Sequence, residues 1–399
     1  PPDSLKINQE RPEPAGWASR EKEFLHMRFQ TLTILAFVGF VLMAGTAVHA
    51  ATICVDPGKP TCEATVQDGV DAAVAGDTVS VAKGDYLEGV VIPVGKDGLT
   101  LRGKGSVIDS ATTGLAGIEV LSSGVTISGL TVRNADGNGI DIGLGADGVE
   151  ITKVRVQNAD SDCIESEGND TVIVKNTLVA CGSYVVDVDA ADAVISGNTM
   201  MHADSGGVDV DGARAVIEKN KISIIEDGDC IEVDGGNAEI VGNSMANCDS
   251  EGVSVDGAAP YVVKNQVTGA SGYEVDCTAD CASGLVSGNR VSDTGEDEGG
   301  FDIDADAAGL LVEKNRVERS NDEGFDVDSD FMITLQKNLV RDIGGDNYEA
   351  CYEIDGLGGH LLDGNSCDST PEDGVRIEGG DGHTVQKSKV VDAFEDGID

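Results

Sequence analysis

An asparagine returns at positions 176, 198, 220, 243, 265, 289, 315, 338 and 365, at intervals of 22 to 27 residues. This period constrains the fold more than any other feature. Between asparagines there is room for two or three short strands of alternating pattern and the turns that join them, and no room for a helix of ten or more residues. That excludes helical and leucine-rich solenoids and βαβ units. A propeller blade needs about 40 residues and is excluded by the short period. A unit of 22 to 28 residues suits one coil of a parallel β-helix, with each coil stacked about 4.8 Å above the last.

A second anchor repeats in phase: a glycine or cysteine, then apolar, acidic, apolar, acidic. It reads GIDIG at 139, CIESE at 163, GVDVD at 207, CIEVD at 230, GFDID at 300, GFDVD at 324 and CYEID at 351. Alternation sends the apolar residues inward, so the acids face out. The acids form two rows. The first runs Asp141, Glu165, Asp187, Asp209, Glu232, Ser254, Glu274, Asp302, Asp326, Glu353, Arg376 and Asp399. The second runs Gly143, Glu167, Asp189, Asp211, Asp234, Asp256, Asp276, Asp304, Asp328, Asp355 and Glu378. Like charges one coil apart repel by roughly 1 kcal/mol even in water, and the repulsion calls for raised pKa values or bound cations. Calcium takes six to eight oxygens from flexible carboxylates. The metal expectation is therefore Ca²⁺ on Asp187, Asp189, Asp209, Asp211, Glu232, Asp234, Asp256, Asp302, Asp304, Asp326 and Asp328. The competing reading is a solvated acidic face neutralised by diffuse ions.

The asparagines sit between strands, where left-handed turn geometry and stacked amides account for them structurally. Tyr273, Phe301, Phe325 and Tyr352 fall at inward positions and belong to the core. Tyr184 and Tyr261 are the aromatics expected outside.

Four regions follow. Residues 1–26 lack periodicity and precede a plausible start at Met27. Residues 27–50 carry a short basic start, an apolar run from Leu32 to Val41 and small residues at 48–50, which is the pattern of a cleaved signal peptide. Mature protein is expected to begin near Ala51, with no transmembrane anchor left after cleavage. Residues 51–120 hold a cap and the first coils. Val66, Val70, Ala73 and Val74 share one helical face, so a short amphipathic helix is expected to close the open end of the solenoid. Residues 121–399 are the repeats. They break off part-way through a unit at Gly397, Ile398 and Asp399, so the chain is expected to continue.

Export makes disulfides permissible. The ten cysteines lie past the cleavage point in five close pairs: Cys54 with Cys62, Cys163 with Cys181, Cys230 with Cys248, Cys277 with Cys281, and Cys351 with Cys367. In a coil of 22 or 23 residues, cysteines 18 apart lie on adjacent coils near one edge, within bonding distance. The spacings do not suit a zinc site. The formal net charge of −45 repels nucleic acid and anionic lipid.

The segment VQDGVDAAVAGDTVSVAKGDY, followed by coils with stacked asparagines, resembles the pectin-lyase-like superfamily of right-handed β-helix repeat proteins, over roughly residues 60–399. The resemblance implies an all-β fold of about a dozen coils with a short N-terminal capping helix. It leaves activity open among lyases, hydrolases and non-catalytic surface proteins. DSDCIES (160–166) and DGDCIEV (227–233) are similar to the Asp-Asp-Cys motif of polygalacturonases. In both, however, Ser161 or Gly228 splits the acids. Glu378 replaces the lysine expected after Arg376, and the GGH at 358–360 is misplaced. With no complete catalytic constellation, the expected function is an exported, periplasmic or cell-surface protein. It is expected to be a monomer whose acidic face binds Ca²⁺ and a polysaccharide or other envelope component. The alternative is a polysaccharide lyase or polygalacturonase-like hydrolase.

Overall fold

The structure, a computed structural model, describes residues 50–111, 114, 116–294, 299–344 and 350–399. The upstream segment, and all of the expected signal peptide except its last residue, lie outside the described residues. The chain winds into a parallel solenoid in which every coil visits three sheets in order. Sheet A has 15 strands, from Thr52–Val55 to Thr384–Gln386. Sheet B has 14, from Gly84–Tyr86 to Lys389–Ala393. Sheet C has 13, from Val90–Ile92 to Arg376–Glu378. This bears out the expected solenoid of about a dozen coils, the first of which, within 51–120, carry neither the asparagine nor the paired acids.

Alternation places one apolar residue per strand inside. Ile151, Ile173, Ile195, Ile217 and Ile240 stack in sheet A through successive coils, all fully buried. The four core aromatics stack as predicted, with centroids 4.6, 4.7 and 5.3 Å apart from Tyr273 through Phe301 and Phe325 to Tyr352. The asparagines form a buried ladder at the corner between sheets A and B. Asn220 is typical: its Nδ2 donates to Ile195 O and Asn243 Oδ1, and its Oδ1 accepts from Asn198 N and Nδ2. The residue before each asparagine is in the left-handed region: Lys175, Lys219, Lys264, Lys314 and Lys337 take that place with positive φ, and glycine takes it on the other coils.

The cap exists but is shorter than its periodicity implied. Helix α1 spans Val66–Ala72, with Thr65 capping it by accepting from Asp68 N. Val66 and Val70 are buried in the core, whereas Val74 is 55% exposed. The helix stops because Ala73 is already extended. Gly69 allows the close approach, since a Cβ there would lie 2.5 Å from Val55 Cγ2.

All five disulfides form with the pairing expected, but they are of two kinds. Three join coils. Cys163, Cys230 and Cys351 sit just before or at the entry to sheet C, and Cys181, Cys248 and Cys367 lie in the sheet B strands of the following coil. Their Cα separations are 5.3, 5.7 and 5.8 Å. The other two depart from that adjacent-coil geometry and staple a local turn. Cys54, in the first strand of sheet A, bonds Cys62 on the segment that folds back beside it, where Glu63 N donates to Cys54 O; the Cα separation is 4.9 Å. Cys277 ends the sheet C strand Ser271–Cys277 and bonds Cys281, which opens the 3₁₀ turn Cys281–Ser283, at a Cα separation of 5.7 Å. Cys277 and Cys281 are both buried, whereas Cys54 is exposed and Cys62 half-buried. Glycine recurs at the entry to sheet C where the coils approach closely: a Cβ on Gly139 would stand 2.6 Å from Cys163 O.

A candidate binding face on sheet C

Sheet C holds the acidic face. Its register stacks Glu119, Asp141, Glu165, Asp187, Asp209, Glu232, Ser254, Glu274, Asp302, Asp326, Glu353 and Arg376 on successive strands. The predicted row is therefore continuous and begins one coil earlier, at Glu119. That residue was missed because its coil lacks the second acid of the anchor. In the second row Asp256, Asp276, Asp304, Asp328, Asp355 and Glu378 are in register. Asp189, Asp211 and Asp234 leave their strands at the same level, each donating its amide to the coil beneath. All eleven residues expected to bind metal thus lie on this one face.

A third row, which the two-row pattern did not expose, lies three residues before the first at the corner between sheets B and C. It contains Asp162, Tyr184, Gly206, Asp229, Glu251 and Glu323. Backbone links between coils fix it. Asp162 Oδ1 accepts from Tyr184 N at 2.8 Å, and Asp229 Oδ1 accepts from Glu251 N at 2.9 Å. The signal was present in DSDCIES and DGDCIEV: the second aspartate of each belongs to this row. Tyr184 is half-buried, and it owes its position to its neighbour. A Cβ on Gly206 would fall 2.5 Å from the Tyr184 ring, so the ring extends over a residue that has no side chain.

Charge crowding sets the chemistry. Burial pushes the Asp187 and Asp209 carboxyls up to about 7, helped by Asp162 and Asp209 around the first and by Glu232 and Asp211 around the second. Asp326 rises to about 7 for the same reasons, with Asp302 and Glu353 its nearest charges. Asp229 is raised to about 8 by burial and by its hydrogen bond to Glu251. Burial opposes ionisation of Glu251 too, but hydrogen bonds from Asp229 and Ser250 outweigh it and lower that carboxyl. The two carboxyls are thus pushed in opposite directions, Asp229 up and Glu251 down. Glu323 climbs to about 9 through burial and its bond to Asp322.

Arg376 is the only lysine or arginine within the strands of sheet C. It is already committed. It binds Glu353 at 2.9 Å and Glu372 more closely, with Asp373 at 3.8 Å. The row carboxylates offer hard oxygen donors. Among the described residues, however, no three acidic, histidine or cysteine side chains converge on a point that could hold a metal ion. His360 of the GGH segment is fully buried at the corner between sheets C and A, with Nε2 on Ser329 O. It takes no part in the acidic face. Among the described residues, no helix is long and apolar enough to cross a membrane. The five disulfides are compatible with an extracellular protein.

A three-sheet parallel solenoid is the architecture of the right-handed β-helices. The family described as "right handed beta helix region" matches residues 87–222, 138–289 and 206–390, and the chain belongs to it. Two solved structures with similar folds are catalytic domains of a GH87 α-1,3-glucanase variant, one in complex with nigerose and one with tetrasaccharides. Each is 10% identical, with a TM-score of 0.54. They cover 88% of this chain, and this chain covers 70% and 71% of theirs. A PL6 alginate lyase in complex with a trisaccharide is 12% identical, with a TM-score of 0.41, covering 86% of this chain and 85% of its own. The comparison with curated proteins returned no match.

Proposed function

We propose that this is an exported protein whose sheet C face binds a neutral, hydroxyl-rich glycan of the cell envelope or surroundings. The observation that carries the reading is the long carboxylate stack of sheet C, interrupted by Ser254 alone before the row reaches Arg376. A uronate or sulfated chain would meet like charge along the whole face, and the one cation there is held by three acids of its own. Carboxyls whose pKa values sit near neutrality serve hydroxyl-rich sugars as both donors and acceptors. Tyr184 adds an aromatic ring beside Asp162, Asp187, Asp209 and Glu232, suited to the apolar face of a sugar ring. The sugars bound to the similar GH87 domain support a carbohydrate as the ligand class.

Calcium belongs to the same proposal. The donors suit it chemically, but no cage is preformed among the described residues. Carboxylates adjacent in the register, such as Asp209 and Glu232, would hold the ion. Its charge would offset their repulsion.

A second reading, glycoside hydrolysis, is favoured by the pairing of Asp229 with Glu251 at the corner, where Glu251 N donates to Asp229 Oδ1 at 2.9 Å and burial raises the Asp229 carboxyl while Glu251 is lowered. A protonated carboxylic acid next to a carboxylate is the equipment for protonating a leaving group.

An array of neutral and uronic polysaccharides, probed with and without Ca²⁺, tests both readings. Retention of neutral chains, weakened at least tenfold by Tyr184→Ser, supports the binding face. Retention of only uronic chains overturns it. New reducing ends that vanish in Asp229→Asn would establish the hydrolase.

A further inference from the structure

The corner between sheets A and B is the one corner that sheet C does not share. Like the other two, it takes the coils through positive φ, but its residues differ. The other corners use aspartate and asparagine freely, as at Asp170, Asp192 and Asn237 before sheet A and at Asn134, Asn247 and Asp342 after sheet B. The A–B corner uses neither. From Gly129 onward it holds only glycine or lysine, the lysines being Lys153, Lys175, Lys219, Lys264, Lys314, Lys337 and Lys387. Glycine sits in left-handed backbone without strain, and aspartate or asparagine with little. Lysine gains nothing from that geometry, so what the position keeps is the cation.

Two residues further on, Arg155, Lys221, Arg290, Arg316 and Lys389 lie in one outward row of sheet B that contains no acid over eleven coils. Together the two rows hold 12 of the chain's 27 lysines and arginines. They run along about 48 Å at about 4.8 Å per rung, and never do two successive coils lack a cation. Five of the twelve are neutralised: Lys219 by Glu218, Lys314 by Glu313, Lys387 by Asp363, and Arg290 and Arg316 by Glu318. The other seven are exposed and have no acidic partner among the described residues. On a chain of net charge −45, an uncompensated positive strip is a selective feature. We infer that the A–B corner is a binding site for a linear anionic polysaccharide, separate from the face on sheet C.

Shape and chemistry select this occupant. The strip is two residues wide on a convex corner, which suits a chain lying along the solenoid axis better than a globular partner. Most of its cations are lysines, compact charges on flexible stems. They match charges spaced along a polymer rather than one forked group. No aromatic residue interleaves the strip, so nucleic-acid bases would have nothing to stack on. Facing sheets lie about 10 Å apart, beyond the roughly 8 Å screening length of physiological salt. A chain on this corner is therefore shielded from the carboxylates of sheet C.

Immobilised alginate and dextran sulfate, with neutral dextran alongside, test this on the full chain. Chelator is present throughout, so that Ca²⁺ cannot bridge a polymer to sheet C. The expected result is retention on at least one anionic polymer, the tighter of the two naming carboxylate or sulfate as the preferred charge. Affinity should fall steeply between about 0.1 and 0.4 M NaCl. A variant combining Lys153→Gly, Lys175→Gly, Lys264→Gly and Lys337→Gly preserves the backbone, since glycine already holds this turn on other coils. It should bind about tenfold or more weakly, and its salt dependence should be shallower by about 3 on logarithmic axes, at about 0.7 per lost contact. Arg214→Gln and Arg319→Gln, at the other two corners, should leave retention unchanged. So should Tyr184→Ser, while neutral-chain binding should survive in the glycine variant, so the two sites fail separately. Absence of wild-type retention on both anionic polymers overturns the proposal, as does a glycine variant that binds them like the wild type. Capture on phosphatidylserine vesicles that exceeds both polymers and is lost in the glycine variant also overturns it, since it assigns the strip to a lipid surface.

Discussion

At the scale of the residue, two kinds of side chain use the same stacking for opposite ends. Each ladder asparagine accepts from the backbone one coil below and donates to a carbonyl nearby, so its amide is fully used while buried. Removing one leaves partners stranded. Asn220→Ala deprives Asn198 N and Ile195 O of their bonds, and each buried unsatisfied group costs about 1–3 kcal/mol. A loss of about 3 kcal/mol is expected in urea unfolding, while Lys219→Gly beside it, in left-handed backbone, should be neutral or slightly stabilising. The acids are stacked without such satisfaction. Asp187, Asp209 and Asp326 are held near 7 by burial and by each other, far above the ordinary carboxylate range. Infrared titration of the wild type against Asp209→Asn should therefore show a carboxyl lost from the neutral range rather than from near the ordinary value of about 4.

At the scale of the element, the corners are where coils are fastened. Between sheets B and C the fastening is covalent, through Cys163–Cys181, Cys230–Cys248 and Cys351–Cys367. Between sheets C and A, in the last coils, it is a pair of stacked histidines with ring centroids 5.1 Å apart. His360 Nδ1 accepts from Ile333 N, and His383 Nδ1 accepts from His360 N. His360 Nδ1 accepts a backbone bond, which only its neutral form can do. The carboxylates on the same turns are Asp330, Asp355 and Asp381. Burial nonetheless lowers the pKa of His360, and the neighbouring His383 adds to this. A depressed histidine pKa means the unfolded corner binds more protons, so its stability is present above the free value of about 6.5 and is lost as pH falls below it. Hydrogen-exchange protection at Ile333 and His360 should drop between about pH 7.5 and 5.5 by an order of magnitude. His360→Asn, which keeps an acceptor that does not titrate, should hold it constant.

At the scale of the whole molecule, the acidic face sets the opposite trend. Its carboxyls have raised pKa values, so the folded state holds more protons than the unfolded chain between about pH 4 and 8, and stability falls as pH rises through that window. The melting temperature should fall from about pH 5.5 to 8.5. The variant with amides at 209, 211, 232 and 234 should show a flatter profile. Cation binding relieves the same repulsion. At a hundredfold excess over its dissociation constant, a bound ion contributes about 2.7 kcal/mol. Millimolar Ca²⁺ should raise the melting temperature at about pH 8 beyond NaCl of matched ionic strength, and the amide variant should lose most of that difference. Equal shifts from the two salts would reduce the face to diffuse screening.

The coil, the inward aromatics, the asparagine ladder and the disulfide pairing were all legible in the one-dimensional pattern, which left the strand count per coil at two or three. A stacked solenoid turns sequence period directly into spatial neighbourhood: residues one repeat apart touch, so row membership follows from counting. What counting could not reach lies where the period is irregular or where contact crosses a corner. Glu119 and the first coils carry the geometry without the full motif. Cys62 and Cys281 find their partners through local turns that the repeat does not describe. Val74 left the helical face because the backbone extends at Ala73 to feed the next strand. The third row and the pairing of Asp229 with Glu251 arise at the turn between sheets B and C, where chain spacing says nothing about which way a carboxylate leans. The commitment of Arg376 to three acids, and the lack of a converging metal cage among the described residues, depend on side-chain direction. Period fixes which residues are neighbours; only the packed corners decide which of them meet.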